Sequence, residues 1–236
     1  MTDHHSSASN FYSSLKSSPA SMGTRLWQPN FEQIKNAEVT DFAHYVRAQH
    51  GFDWGGDFQA LWRWSVTEIP TFWEAVWHWH GIIGEIGRRR LVNKTKMPGA
   101  FFFPDASLNF AENLLVNPDQ SLAISAYGED GQIQRLSRAE LANKVMKLAG
   151  WLKVNNVGKG DRVAAYTPNV AEAVITMLAT ATLGAVYSSC SPDFGVNGAL
   201  DRFGQIEPKI LMACNGYLYA GKKIDRLTHV AELAAK

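Results

Sequence analysis

The residues 216–222, Gly216-Tyr217-Leu218-Tyr219-Ala220-Gly221-Lys222, satisfy the spacing G-x-x-x-x-G-K, which in a phosphate loop lets backbone amides at a helix N-terminus hold a polyanion. The run lies between a predicted strand and a predicted helix. Lys223, however, stands where a Ser or Thr would hold magnesium, and Tyr217, Leu218 and Tyr219 would crowd the phosphates. The missing hydroxyl argues against a nucleotide-hydrolysing loop, while Lys222 at the expected helix start keeps a cation for a single phosphate. Gly158-Lys159-Gly160 precedes a strand instead of following one and lacks a third glycine, so it reads as a turn.

Ser188-Ser189-Cys190-Ser191 offers hydroxyls and a thiol, but no G-x-S-x-G elbow surrounds it and the one histidine downstream is His229. A nucleophilic triad lacks its base. The segment Ser191-Pro192-Asp193-Phe194-Gly195 differs in kind. It follows a predicted strand end and opens into a helix that carries Asp201 and Arg202, a placement suited to a binding loop and equally to a structural turn. His78 and His80, two apart on a helix, point to different sides, whereas metal ligands on a helix stand four apart. Arg88, Arg89 and Arg90 read as the cationic end of that helix. Cys190 and Cys214 lack C-x-x-C spacing and read as buried thiols in a reducing compartment.

The elements that must position these residues fall into three regions, 1–30, 31–117 and 118–236. The first is a serine-rich polar leader, expected to be disordered and without a secretory h-region. The second is helical and aromatic, with six of the eight tryptophans between Trp54 and Trp79. Residues 31–50 read as one amphipathic helix with Phe42, Tyr45 and Val46 on one face. Pro70-Thr71 starts another, with Trp73, Val76, Trp77, His80 and Ile83 as its inward stripe. That spacing favours packing over a sugar or base platform.

The third region begins with a hairpin: strand 122–127, turn Gly128-Glu129-Asp130-Gly131, strand 132–136. Ser137 and Glu140 form a capping box for a helix buried along Leu141, Val145, Leu148 and Leu152. Strands 161–167, 185–189 and 209–213 then alternate with helices 169–183 and 196–206, followed by a final helix over 225–236. The rhythm implies an α/β fold with a parallel sheet flanked by helices, and ligand chemistry at the carboxyl ends of the strands.

Composition narrows the class. In 236 residues there are 23 Lys and Arg against 22 Asp and Glu, a net charge of +1, and 46% hydrophobic residues. A disordered chain would be poorer in apolar residues, and a nucleic-acid binder would carry a basic excess. The apolar run 173–190 contains three threonines and a glycine and falls short of a bilayer span. These features point to a cytoplasmic protein with neither a nucleic-acid partner nor a membrane span.

Several segments together resemble one family, the acetoacetyl-CoA synthetases (acetoacetate–CoA ligases) within the AMP-forming acyl-CoA ligases. They are Trp62-Arg63-Trp64-Ser65-Val66 with Phe72-Trp73, Leu108-Asn109-Phe110-Ala111-Glu112-Asn113-Leu114-Leu115, Leu136-Ser137-Arg138-Ala139-Glu140-Leu141 and Gly160-Asp161-Arg162-Val163. Two more are the run from Leu183 through Ser191-Pro192-Asp193-Phe194-Gly195-Val196 and the run Asp201-Arg202-Phe203-Gly204-Gln205-Ile206-Glu207-Pro208-Lys209. The likeness extends from about Trp27 onward.

What the resemblance implies is a helical Trp-rich cap followed by the first half of an adenylate-forming large domain. The chemistry it implies has two steps: a carboxylate attacks the α-phosphate of Mg-ATP, diphosphate leaves, and the CoA thiolate displaces AMP. Acetoacetate, ATP and CoA, with Mg2+, are the substrates and cofactors of the complete enzyme. The family's phosphate loop, magnesium glutamate, ribose-binding aspartate and adenylation lysine have no counterpart in these residues. The resemblance therefore implies an incomplete ligase, inactive alone, with no catalytic residue or metal ligand of its own.

Only the CoA side carries over. Pro192, Asp193, Phe194 and Gly195 resemble a loop that lines the CoA nucleotide, Lys222 keeps a cation near its 3′-phosphate where Tyr219 does not, and Arg202 is a further candidate. Acetyl- or propionyl-CoA ligases are the neighbouring specificity. A non-catalytic CoA- or partner-binding module and a small NTPase using residues 216–222 are the alternatives from other classes. An unfinished sheet would also leave an open edge, so self-association is expected.

Overall fold

A computed structural model describes Gly23 and residues 25–236, so the expected disorder of most of the serine-rich leader lies outside the described residues. The chain divides into two compact units, one ending at His80 and one starting at Gly81.

In the first unit, α1 (Phe31–Lys35) and α2 (Glu38–His50) replace the single helix expected over 31–50. Asn30 and Gln33 close a reciprocal capping box on α1, and Asn36 ends it. Asn is a poor helix-interior residue because its side chain competes for backbone hydrogen bonds. The chain restarts at Ala37, and the buried Thr40 hydroxyl donates to the Ile34 carbonyl at 2.6 Å, stitching the two helices together. α3 (Phe58–Thr67) is capped by Asp57, and α4 (Ile69–Trp79) opens with proline in its first turn, as the sequence indicates.

Phe42, Ala43, Val46, Leu61, Trp64 and Ala75 form the core of this unit. Phe42 meets Phe72 and Trp79 edge-on at 5.8 and 5.3 Å, and Phe52 stacks on Trp64 at 5.0 Å. The inward stripe of α4 is thus Phe72, Ala75, Val76 and Trp79. It is offset from the expected one, and Trp73 is 42% exposed. The rings also border a cleft of about 310 Å³ whose polar lining groups are Glu38, Ser65 and His80.

The second unit opens with a loop. Helix α4 ends at Trp79, so Arg88, Arg89 and Arg90 do not cap it as expected. They precede β1 (Leu91–Val92), which pairs antiparallel with β2 (Phe101–Phe102). Arg89 grips Asp105 with two nitrogens, Nε to Oδ2 at 3.0 Å and Nη2 to Oδ1 at 2.5 Å, and its guanidinium pulls the carboxyl down to about 2. α5 (Phe110–Leu114) is capped by Asn109, whose Nδ2 donates to Ala181 and Thr182 carbonyls, and Asn113 bonds Ile83 through both its amide atoms. These bonds tie residues 83–113 to the α/β unit, so the structural division falls earlier in the chain than the shift in composition near 117.

β3 (Leu122–Tyr127) and β4 (Ile133–Ser137) form the antiparallel hairpin, and α6 (Arg138–Val154) carries the expected Ser137–Glu140 capping box. The parallel sheet has the order β6-β5-β7, from β5 (Arg162–Tyr166), β6 (Val186–Cys190) and β7 (Ile210–Ala213). Helix α7 (Ala171–Thr182) connects β5 to β6, and α8 (Val196–Phe203) connects β6 to β7. Side chains of a strand alternate between faces. Val163 accordingly joins Leu141, Val145, Leu152, Ile175 and Leu178 on the α6–α7 side. Ala164 and Tyr166 join Ala199, Phe203 and Leu233 on the other, which is covered by α8 and α9 (Leu227–Ala234). Burial on both faces is what an all-parallel sheet requires and explains the unbroken run Val163-Ala164-Ala165-Tyr166, in which no residue is exposed.

Beyond β7 the chain does not make the expected loop and helix start. Residues 216–225 are a hairpin of β8 (Gly216–Tyr219) and β9 (Lys222–Asp225). Ala220 and Gly221 both take positive φ, 49° and 72°, as a two-residue hairpin turn with the right twist demands. Tyr217, Leu218 and Tyr219, read in the sequence as an obstruction to phosphate, are instead strand formers. The last helix consequently begins at Leu227, where the Asp225 carboxylate accepts from its amide at 2.8 Å.

Candidate functional site

Strand β5 ends in a tyrosine, and that residue organises the carboxyl edge of the sheet. The Tyr166 side chain is fully buried, and its hydroxyl is shared between the carbonyls of Pro192 at 2.9 Å and Phe194 at 2.6 Å. One phenol thus holds two carbonyls of the loop that follows β6. Burial pushes the Tyr166 hydroxyl up in pKa, which favours the protonated, donating form. Pro192 is buried, while Asp193, Phe194 and Gly195 face solvent.

Asp193 is fixed through both oxygens. Ser191 Oγ donates to Oδ2 at 2.8 Å, and the Tyr217 hydroxyl from β8 makes a short hydrogen bond to Oδ1. Arg226, the residue before α9, donates from Nη2 to the Tyr217 oxygen at 3.1 Å and lies 5.5 Å from its ring centre. The Tyr217 and Ser191 hydroxyls, with the Arg226 charge behind them, hold the Asp193 carboxyl below the usual carboxylate range. The same bond to Asp193 raises the Tyr217 phenol. Arg226, Tyr217, Asp193 and Ser191 form a continuous polar chain across three elements.

Phe194 projects on the other side of the loop, 40% exposed, and Arg202 lies over its ring at 4.1 Å while donating to the Gly198 carbonyl at 2.7 Å. Gly198 lies against this pair, and a Cβ there would meet the Phe194 ring at 3.4 Å, at the near limit of ordinary contact. The structure therefore gathers Pro192, Asp193, Phe194, Gly195 and Arg202 in one place.

Lys222 lies elsewhere and in a different setting from the expected helix start. It is the first residue of β9, paired with Tyr219 across the hairpin as Ile224 is paired with Tyr217. Directly opposed residues share a face, so Tyr217, Tyr219, Lys222 and Ile224 line one side, with Lys222 about 7 Å along the ladder from the pair that holds Asp193. The hairpin tip is anchored by the Gly221 amide, which donates to Glu129 at 3.2 Å.

Sequence reasoning missed Tyr166, Tyr217 and Arg226. A polar-tipped aromatic closing the buried run of β5 was a visible signal for the first; Tyr217 and Arg226 meet Asp193 only through the hairpin. Cys190 and Cys214 are free, and burial raises both thiols, which leaves them poor nucleophiles. Among the described residues no three His, Cys, Asp or Glu side chains converge to hold a metal ion. A hairpin in place of a phosphate loop leaves the G-x-x-x-x-G-K spacing without a cradle for a triphosphate. Nor is any helix of the described residues long and apolar enough to cross a membrane.

A helix-flanked parallel sheet with a polar loop and hairpin at its carboxyl edge, where such folds take their ligands, defines an open-sheet α/β domain. A family model described as AMP-binding enzyme matches residues 110–236, and the chain belongs to that family. It is 45% identical over 200 residues to the acetoacetyl-coenzyme A synthetase of Rhizobium meliloti (strain 1021), covering 85% of this chain and 31% of the relative. It is 33% identical over 216 residues to the acetoacetyl-CoA synthetase of Xenopus tropicalis, covering 88% and 31%. The solved acetoacetyl-CoA synthetase from Streptomyces lividans matches with a TM-score of 0.81 at 41% identity, over 90% of this chain and 33% of that one. The chain thus spans about a third of the length of the proteins it matches.

Proposed function

We propose that the chain is the CoA-side portion of an AMP-forming acid–thiol ligase that converts acetoacetate, ATP and CoA to acetoacetyl-CoA, AMP and diphosphate. The observation that carries this reading is the loop 191–195, held beneath by Tyr166 and laterally by Tyr217, at the edge where α/β folds take their ligands. Acetoacetate as the acid rests on the names of the similar proteins. Two free cysteines support a reducing compartment, and we place the protein in the cytosol.

The exposed faces suit a CoA nucleotide. Phe194 and Tyr219 present aromatic surface for the base, and Lys222 presents a point charge for the 3′-phosphate. Arg202, engaged over Phe194 and on the Gly198 carbonyl, would stiffen the aromatic wall. The described residues do not fit magnesium triphosphate, so no adenylation step is assigned to them and no turnover is expected of the chain by itself.

Titration calorimetry tests the reading. CoA should bind saturably, dephospho-CoA about tenfold more weakly, and Lys222→Ala should erase the difference between the two, as expected for one charge-assisted phosphate contact of about 1.5 kcal/mol. A chain that gives no saturable heat with CoA refutes the assignment. Acetoacetate-dependent exchange of diphosphate into ATP by this chain alone would overturn the statement that it does not turn over.

A further inference from the structure

The polar chain from Arg226 to Ser191 has a direction. Arg226 can only donate, so the Tyr217 oxygen must accept from it, which leaves the Tyr217 hydrogen for Asp193. Ser191 supplies the second hydroxyl, and its oxygen in turn accepts from the Asp193 amide at 3.3 Å. Donors thus run one way, from a permanent cation to a carboxylate. Among the described residues Arg226 makes no ion pair with a carboxylate, and its Nε is buried without a hydrogen-bond partner. The cation is held in place and engaged at its outer nitrogen by the Tyr217 hydroxyl. A structural tyrosine would need only its ring packed, whereas this one joins a hairpin to a loop from a different crossover.

We propose that Tyr217 and Arg226 are positioning residues that fix the Asp193 carboxylate and so hold the 191–195 loop and the β8–β9 hairpin together as one CoA-facing surface. Asp193 is the hinge pin. With it held, the Pro192 and Phe194 carbonyls stay turned down onto Tyr166, and Phe194 stays between Arg202 and solvent. The hairpin face carrying Tyr219 and Lys222 is then set at a fixed distance from the loop. The consequence for CoA rests on the function proposed above; the tethering of the loop does not.

Tyr217→Phe removes one oxygen and keeps the ring, and two measurements on the whole chain decide the matter. Without ligand, amide exchange at Phe194, whose N–H donates to the Ser191 carbonyl, should quicken about tenfold while exchange in β5 is unchanged. The Asp193 carboxyl signal in carbon NMR should titrate nearer the ordinary carboxylate range, a change that a loss of packing would not produce. With CoA, affinity should fall about tenfold, and the acid limb of binding should move up in pH. Arg226→Gln, which keeps a donor and loses the charge, should raise the Asp193 midpoint by less and serves if Tyr217→Phe folds poorly. Unchanged Phe194 exchange together with an unmoved Asp193 titration overturns the proposal whether or not CoA binds. Absence of CoA binding by the unaltered chain, with both ligand-free effects present, overturns the CoA assignment and leaves the tether standing.

Discussion

Tyr166→Phe isolates a single hydroxyl. The ring sits in the cluster with Ala164, Cys190, Ala199 and Phe203, and phenylalanine keeps that packing. What is lost is the donor shared by two carbonyls, of which Pro192's is buried and Phe194's is partly open to water. A typical net hydrogen bond contributes about 1 kcal/mol, and leaving one buried acceptor unmade adds about 1–2 kcal/mol. The Phe194 carbonyl can recover a water, so it adds little. The sum is about 2–3 kcal/mol, roughly 30- to 150-fold in the folding equilibrium. Amide hydrogen exchange of β5 followed through a urea series, which reports the unit that holds Tyr166 where the tryptophans of 54–79 report the other, reads the loss as a lower midpoint at unchanged slope. A destabilisation under about 0.5 kcal/mol would mean that the loop carbonyls relax to other partners, and the reasoning that makes Tyr166 the anchor of the site would be wrong.

Two further outcomes follow from the same structure. Leu152→Ala, at a fully buried position under the α6–α7 side of the sheet, should cost about 2–4 kcal/mol by lost transfer energy and cavity formation, read in the same urea experiment; a loss below 1 kcal/mol would place Leu152 outside the core. The Arg89–Asp105 pair should give a pH dependence of known sign. Asp105 is depressed to about 2, below the roughly 3.9 of an unfolded chain. Its contribution is therefore present above pH 4 and disappears as pH falls toward 2. The urea midpoint of Asp105→Asn should converge on that of the unaltered chain between pH 4 and 2, and parallel curves would contradict the assignment.

The parts of the fold legible in the sequence are those in which local pattern and tertiary demand agree. Ser137 with Glu140, the hairpin around Gly128 to Gly131, and the buried run of β5 each carry their own signal, and each is found where expected. The misplaced parts are those where two local rules competed. Residues 216–222 match a phosphate loop by glycine and lysine spacing, but Tyr217 and Tyr219 are strand residues and Ala220-Gly221 is a hairpin turn. Strand propensity and turn chemistry outweighed a motif that already lacked its magnesium hydroxyl. In α4 the period was right and the phase wrong. Trp73 and Phe72 are adjacent and both apolar, and only the position of α2, which presents Phe42, selects Phe72 as the inward ring. The loop 191–195 was found as a candidate by its place after a strand. Its partners Tyr217 and Arg226 lie more than twenty residues onward, joined to it by a hairpin the sequence did not foretell.

Stability and site are coupled at one residue. Alternation along β5 sends Val163 to the α6–α7 core and Tyr166 to the opposite face, at the strand's carboxyl end, where the sheet meets solvent. A leucine there would satisfy the packing and leave the loop carbonyls unmatched; a polar residue would satisfy the carbonyls and spoil the packing. Tyrosine meets both conditions, because its ring is apolar and its tip reaches beyond the core. Loop order should therefore follow the stability of the sheet. A substitution that loosens β5 from α8 and α9, such as Phe203→Ala, should release the loop before it unfolds the α6–α7 side. The α6–α7 core holds the larger set of buried aliphatic side chains and does not depend on Tyr166.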